Sequence, residues 1–220
     1  SVIIAAGLPI TWFGNQAESY RSYLKRNGEV EFSLDGTAYK VSVRDAVILP
    51  QGYAAIIENL GEMKGDNMLA DIGNGTINIL RIRNGVVIED SLHTEMLGVN
   101  ECVKEILHSL KDKTFTDVDE SVALDFIKTG ESSISEVYVD EMKRIISIYC
   151  GKVMKLLTRN GYNRDFMNLY ICGGGARVMK KFCPAVANDD KVFLMTNICA
   201  TAKGYELMAE KMLRDQYEKQ

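Results

Sequence analysis

Met68-Leu69-Ala70-Asp71-Ile72-Gly73-Asn74-Gly75-Thr76-Ile77-Asn78-Ile79-Leu80 is the stretch on which the fold turns. Two apolar runs bounded by glycine and asparagine signal a strand, a tight turn and a second strand. The placement of the polar atoms adds chemistry to that hairpin. Gly73 and Gly75 let the backbone come close to a ligand, and successive N–H groups in such a turn form an anion cradle. Asp71 stands where it can hold a hydrated cation over the cradle. A phosphate with a divalent metal is the natural guest, and an ordinary hairpin with a solvated aspartate is the alternative.

Downstream, the Asn84-Gly85 turn leads into a third strand over residues 86–92, so residues 69–92 read as an antiparallel meander. Gly98 breaks the chain before a helix over 100–110, where Cys102, Val103, Ile106, Leu107 and Leu110 form one apolar stripe. Residues 111–120 read as a polar linker to a short helix over 121–128. The longest helix is expected over 135–160, with Met142, Ile145, Ile146, Tyr149, Val153, Leu156 and Leu157 on one face. A buried strand over 168–172 runs into Gly173-Gly174-Gly175, which opens a helix ending near Phe182. A last strand over 192–195 and an amphipathic helix over 201–217 follow.

Upstream, residues 2–6 are a continuous apolar run that predicts a parallel strand buried on both faces. Gly7-Leu8-Pro9 ends it, and residues 15–25 carry a helical pattern closed by Gly28. Asp35-Gly36 joins alternating runs over 29–34 and 37–43 into a hairpin. Residues 46–49 predict a separate short strand stopped by Pro50. Residues 51–60 read as a helix capped by Gly61. The chain opens on Ser-Val-Ile-Ile-Ala-Ala with no polar lead-in, which is expected of a piece whose preceding residues have been removed.

Composition narrows the function classes. With 220 residues, 46% apolar, 25% charged and a net charge of −4, the chain has the balance of an ordinary soluble protein, with no basic run suited to a phosphate backbone. No apolar stretch approaches the roughly 18 residues of a membrane span. The cysteines, at 102, 150, 172, 183 and 199, form no CxxC pair and read as reduced core residues of a cytosolic protein. His93 and His108 lack convergent ligand spacing and read as structural.

Strands alternating with helices, plus a meander, place the chain in the α/β class with a mixed sheet. The second glycine turn, at Tyr170-Ile171-Cys172-Gly173-Gly174-Gly175, delivers a strand to a helix N-terminus where anionic or flat groups can approach bare backbone. A tight turn required by sterics alone is the other reading, and the absence of GxGxxG gives a dinucleotide fold little support. Two such turns, far apart in sequence, suggest two lobes closing on one nucleotide.

These motifs carry a specific resemblance. Asp71-Ile72-Gly73-Asn74-Gly75-Thr76 resembles the second phosphate-binding motif of the actin-like ATPase superfamily, and residues 171–176 resemble its adenosine motif. The run from Gly7-Leu8-Pro9, through a helix and the Asp35-Gly36 hairpin, to Val47-Ile48-Leu49-Pro50-Gln51 is similar to the bacterial plasmid-segregation actins of the ParM/StbA type. The resemblance implies an actin-like, ribonuclease H-like α/β fold with two lobes around a nucleotide cleft, the first incomplete. Residues 1–66 would be the remainder of the first lobe, 67–197 the second, and 198–220 a helix packing back on the first.

It also implies roles. Gln51 would orient the attacking water, and Asp71 would hold the magnesium water shell. Gly73, Asn74, Gly75, Thr76, Gly173, Gly174 and Gly175 would bind the nucleotide, with Gly98 in a turn on its ribose side. A Gln suits its role because the amide donates to and accepts from water without ionising, and hydrolysis of a phosphoanhydride needs positioning and charge neutralisation more than covalent chemistry.

The expected cofactors are ATP or ADP, with GTP possible, and Mg2+; Lys104 and Lys128 are candidate purine neighbours or solvated surface lysines. The superfamily's first phosphate motif precedes Ser1, so this chain alone is expected to bind ATP weakly and hydrolyse it poorly. The expected function is a filament-forming ATPase of the bacterial cytoplasm acting in plasmid segregation. It would self-assemble and work with a DNA-binding adaptor, without touching nucleic acid or membrane itself. A small-molecule kinase of the same superfamily and a non-hydrolysing scaffold are the alternatives.

Overall fold

The computed structural model describes residues 1–57, 59–197 and 199–217. In chain order the elements are β1 (Val2–Leu8), α1 (Ile10–Lys25), β2 (Glu29–Leu34), β3 (Thr37–Pro50), β4 (Asp66–Ile72), β5 (Ile77–Arg83) and β6 (Val86–Glu95). They continue as α2 (Val99–Thr114), α3 (Glu120–Thr129), α4 (Glu136–Arg159), β7 (Met167–Cys172), α5 (Gly175–Phe182), α6 (Pro184–Ala187), β8 (Val192–Leu194) and α7 (Ala200–Tyr217). They form two compact units, one of Ser1–Glu58 with Cys199–Gln220 and one of Asn59–Ile198.

The first unit holds a sheet of order β1-β3-β2, with β1 parallel and β2 antiparallel to β3. The β2–β3 hairpin turns on Asp35 and Gly36 at φ of 49° and 77°, the two positive φ values that a tight primed turn requires. Residues 37–43 and 46–49, expected as two strands, are one continuous β3. The polar Arg44-Asp45 step does not end it because Asp45 is held by Arg21 at 2.9 Å and Lys25 at 3.1 Å, both from α1. β1 is half-buried rather than buried on both faces, since it is the edge strand of this sheet.

The helix expected over 51–60 is two short 3-10 segments, Tyr53–Ile56 and Leu60–Glu62, the second of which contains Gly61. Gly52, at φ +83°, cannot enter an α-helix. Ala54, Ala55 and Ile56 are buried. Gly204 of α7 passes so close to the Ala54 carbonyl that any side chain there would strike it.

The second unit is a five-stranded sheet of order β6-β5-β4-β7-β8. The meander β4-β5-β6 forms as its turn chemistry requires, with Asn84 and Gly85 at φ of 50° and 77°. β7 is then added parallel to β4, and β8 parallel to β7. One face buries Met68, Ala70, Ile72, Ile77 and Ile79 against the apolar stripes of α2, α3 and α4, where Ile106, Phe126, Ile146 and Tyr149 are fully buried.

α2 runs on through four residues of the expected linker to Thr114. Leu110 continues its buried stripe, and the Thr114 hydroxyl donates to the Leu110 carbonyl at 2.8 Å. α6, with proline in its first turn, was not foreseen. Glu141 of α4 is buried, accepts a hydrogen bond from the Ser109 hydroxyl at 2.5 Å, and is neutralised by Lys113 at 2.9 Å and by Arg144. Cys102, Cys150, Cys172 and Cys183 are buried free thiols, while Cys199 is exposed. Among the described residues no helix is long and apolar enough to cross a membrane.

Candidate functional site

β4 and β7 are neighbours and parallel, so their C-terminal ends lie side by side, with Asp71 opposite Cys172. Each strand then enters a glycine turn. The two turns, whose sequence separation suggested two lobes closing on one ligand, therefore flank one end of a single sheet. Gly173 sits at φ +78°, and a Cβ there would lie 2.6 Å from an Asp71 carboxylate oxygen and 2.5 Å from the Ile72 carbonyl. Only glycine allows both the left-handed backbone and this approach.

The turn after β4 is closed by the Gly73 N–H donating to the Thr76 carbonyl at 2.9 Å. Its other carbonyls point at the start of α2. The N–H groups of Gly98, Val99 and Asn100 donate to the carbonyls of Gly75, Gly73 and Asn74 at 3.2, 3.0 and 2.9 Å. Gly98 has an extended backbone, so its being glycine is a matter of space: a Cβ would run into the Asn74 carbonyl. The Tyr149 hydroxyl of α4 donates to the Leu97 carbonyl at 3.1 Å and fixes this entry from the core side.

With the carbonyls committed to α2, the N–H groups of Asn74, Gly75 and Thr76 have no backbone acceptor among the described residues. That is the polarity of an anion cradle. Gly75 and Gly174 share one property. Neither has the positive φ that glycine permits, and a Cβ at either would meet nothing within 4 Å. Both are exposed, so the bare backbone at each turn faces open space.

Asp71 is partly buried, and burial pushes its carboxyl above the ordinary value, opposed by a hydrogen bond from the Cys172 thiol. Burial pushes the Cys172 thiol well up, with the Asp71 charge adding to it, so the thiol stays protonated and donates. Among the described residues no group of three or more His, Cys, Asp or Glu could hold a metal. A lone carboxylate beside an anion cradle fits magnesium, which keeps most of its waters and takes the rest of its shell from phosphate oxygens.

The remaining expected residues fall as follows. Gln51 belongs to the other unit. It follows β3, is partly buried, and donates its backbone N–H to the Leu8 carbonyl at 2.8 Å. Thr76 and Gly98 lie at the β4 turn and at the start of α2. Gly173, Gly174 and Gly175 lead into α5, with Gly175 packed on Ile72. Lys104 is paired with Glu101 at 2.7 Å and Lys128 lies 3.8 Å from Asp125, both largely exposed. His93 contacts Glu95 and His108 contacts Asp112, each at 3.3 Å. Cys172 and Tyr149 were missed as contributors. Cys172 adjoins the triple glycine in sequence, but its partner could be known only from the β4–β7 register.

This architecture matches solved structures along nearly the whole chain. Ta0583, an archaeal actin homologue solved in complex with ADP, superposes with a TM-score of 0.73 at 16% identity, over 95% of this chain and 72% of that one. The apo psk41 ParM protein gives 0.66 at 20% identity, over 99% and 65%. The fold is actin-like. ParM of Bacillus thuringiensis, solved with ATP, gives 0.65 at 15% identity, over 96% and 67%. No family model and no curated protein sequence matches the chain. At these identities the actin-like likeness is one of fold, of the kind that ParM proteins share.

Proposed function

We propose that the paired glycine turns of this actin-like chain bind the phosphates of a purine nucleotide, with Asp71 holding a hydrated Mg2+, and that the protein is a filament-forming ATPase acting in DNA or plasmid segregation in the cytoplasm. The observation that carries the nucleotide half is the junction of the two turns beside Asp71. The N–H groups of Asn74, Gly75 and Thr76, which have no backbone acceptor among the described residues, together with the open space over Gly75 and Gly174, suit phosphate oxygens approaching bare backbone. Magnesium, when bound, supplies neutralisation of charge on the phosphates.

The chain's own residues do the rest. The latch to α2 holds the turn so that its amides keep their direction. The Cys172 thiol fixes one side of the Asp71 carboxylate and leaves an oxygen for a metal-bound water. Gln51 is assigned to orienting the attacking water on its residue type and its place after β3. The actin-like fold supports the filament half, and a DNA-binding adaptor would supply the link to cargo.

The test is titration of the chain with a fluorescent ATP analogue with and without Mg2+, followed by sedimentation with ATP and Mg2+. Saturable, magnesium-strengthened binding lost in Asp71→Ala is the expected result. Binding indifferent to both magnesium and Asp71 would overturn the site, and a monomer at every concentration of chain and nucleotide would overturn the filament reading.

A further inference from the structure

A cleft of about 370 Å³ opens on the outer side of the second unit, between the end of β6 and the outer stripe of α4. Met96, Leu97 and Leu156 are its apolar lining, and Lys152, Lys155 and Arg159 with the single carboxylate Glu95 its charged lining. Met96 is 70% exposed, an unusual position for a large apolar side chain with cations around it. Lys152 is committed to Glu105. Glu95 lies 3.3 Å from His93, and Lys155 and Arg159 have no ion pair among the described residues, so the lining keeps an excess of positive charge.

The same unit displays the complementary shape elsewhere. Phe115, which ends α2 in the left-handed conformation at φ +55°, is 92% exposed. Around it in sequence stand Asp112, Asp117, Asp119 and Glu120. Lys113 is tied to Glu141, and Lys111 pairs with Asp117 at 2.8 Å on the exposed surface; with Asp112, Asp119 and Glu120 the segment stays acidic on balance. A phenyl ring held out at a turn and flanked by carboxylates matches an apolar floor with a cationic rim in both polarity and charge.

We propose that the 112–120 segment of one copy docks into this cleft on a second copy, with Phe115 seated between Met96 and Leu156 and the carboxylates of Asp117 to Glu120 facing Lys155 and Arg159. The two surfaces are different patches of the same chain, so the contact, repeated head to tail, is heterologous and leaves a free segment and a free cleft at the two ends of each growing assembly. The proposal rests on the self-assembly half of the function above and requires no nucleotide.

The experiment uses a fluorescein-labelled peptide of residues 111–121, titrated with the chain by fluorescence polarisation in buffer free of nucleotide and magnesium. Saturable binding is expected, weakened at least tenfold by Arg159→Glu or Met96→Asp in the chain and by Phe115→Ser in the peptide. In sedimentation velocity, Asp117→Lys and Arg159→Glu chains should each self-associate less than the parent, and mixing them should restore association. Absence of peptide binding, or equal binding by the Arg159→Glu chain or the Phe115→Ser peptide, overturns the interface. Peptide binding with no nucleotide-dependent sedimentation leaves the interface standing and sinks the ATPase filament reading; the reverse result does the opposite.

Discussion

Asp71 and Cys172 are cross-strand partners at the ends of two parallel strands that are distant in sequence, and the thiol of one donates to the carboxylate of the other. The pair joins the two glycine turns chemically as well as sterically. Replacing Cys172 with Ala removes the donor, whereas Ser keeps one. Magnesium-dependent nucleotide affinity should fall roughly tenfold, about 1.4 kcal/mol, in Cys172→Ala, and Cys172→Ser should recover most of it. Affinity measured without Mg2+ should be similar in all three proteins. A Ser variant as weak as the Ala variant would show that the thiol acts only by filling space.

The glycines separate into two kinds that one pair of substitutions distinguishes. A Cβ at Gly98 would collide with the Asn74 and Gly75 backbone, so Gly98→Ala should destabilise the chain by about 1–3 kcal/mol in urea unfolding. Gly174 is exposed, at φ −60°, and a methyl group there would enter open space. Gly174→Ala should leave unfolding within about 0.5 kcal/mol of the parent while weakening nucleotide binding. Loss of stability without loss of binding at Gly174 would remove it from the site.

Glu141 offers a pH signature. Hydrogen bonds from Arg144, then Ser109 and Lys113, hold its carboxyl at about 2, below the ordinary 4.5. A carboxylate depressed in the folded state contributes stability that is fully present above its unfolded value and is lost as pH falls through the folded one. Glu141→Gln should therefore be less stable than the parent at pH 7, by about 1.5–3 kcal/mol, because the charge-assisted hydrogen bonds from the half-exposed Lys113 and Arg144 are lost. The gap should narrow between about pH 4.5 and pH 2. Urea midpoints for both proteins across that range check this, and a pH-independent gap would assign the loss to packing.

On the β2–β3 hairpin, Phe32 and Tyr39 stack at 5.5 Å on a face left exposed, with Val30 and Leu34 beside them. Cross-strand aromatic pairs contribute roughly 0.2–1 kcal/mol. Phe32→Ser should cost no more than that in thermal unfolding, yet clearly reduce binding of a hydrophobic dye by the native chain. Unchanged dye binding would show that this face is not an accessible apolar patch.

Local chemistry, visible in the sequence, determined much of this protein. Asp35-Gly36 and Asn84-Gly85 dictated their turns because positive φ is a property of the residues themselves, and the apolar stripe from Met142 to Leu157 specified α4 by its period alone. The hairpin around Asp71 was likewise legible as a strand, a glycine turn and a second strand. Where readings failed, a distant partner or the backbone of a single glycine had overridden the local pattern. Asp45 stayed within β3 because Arg21 and Lys25 neutralise it, and residues 51–60 did not become a helix because Gly52 turns left-handed and α7 packs on Ala54. Only the tertiary structure decided that the two glycine turns lie side by side, that Cys172 holds Asp71, and that α2 takes up the turn's carbonyls and leaves its amides outward. The reason is that strand order and register are set by which faces bury together across the whole chain, and no single stretch contains that information.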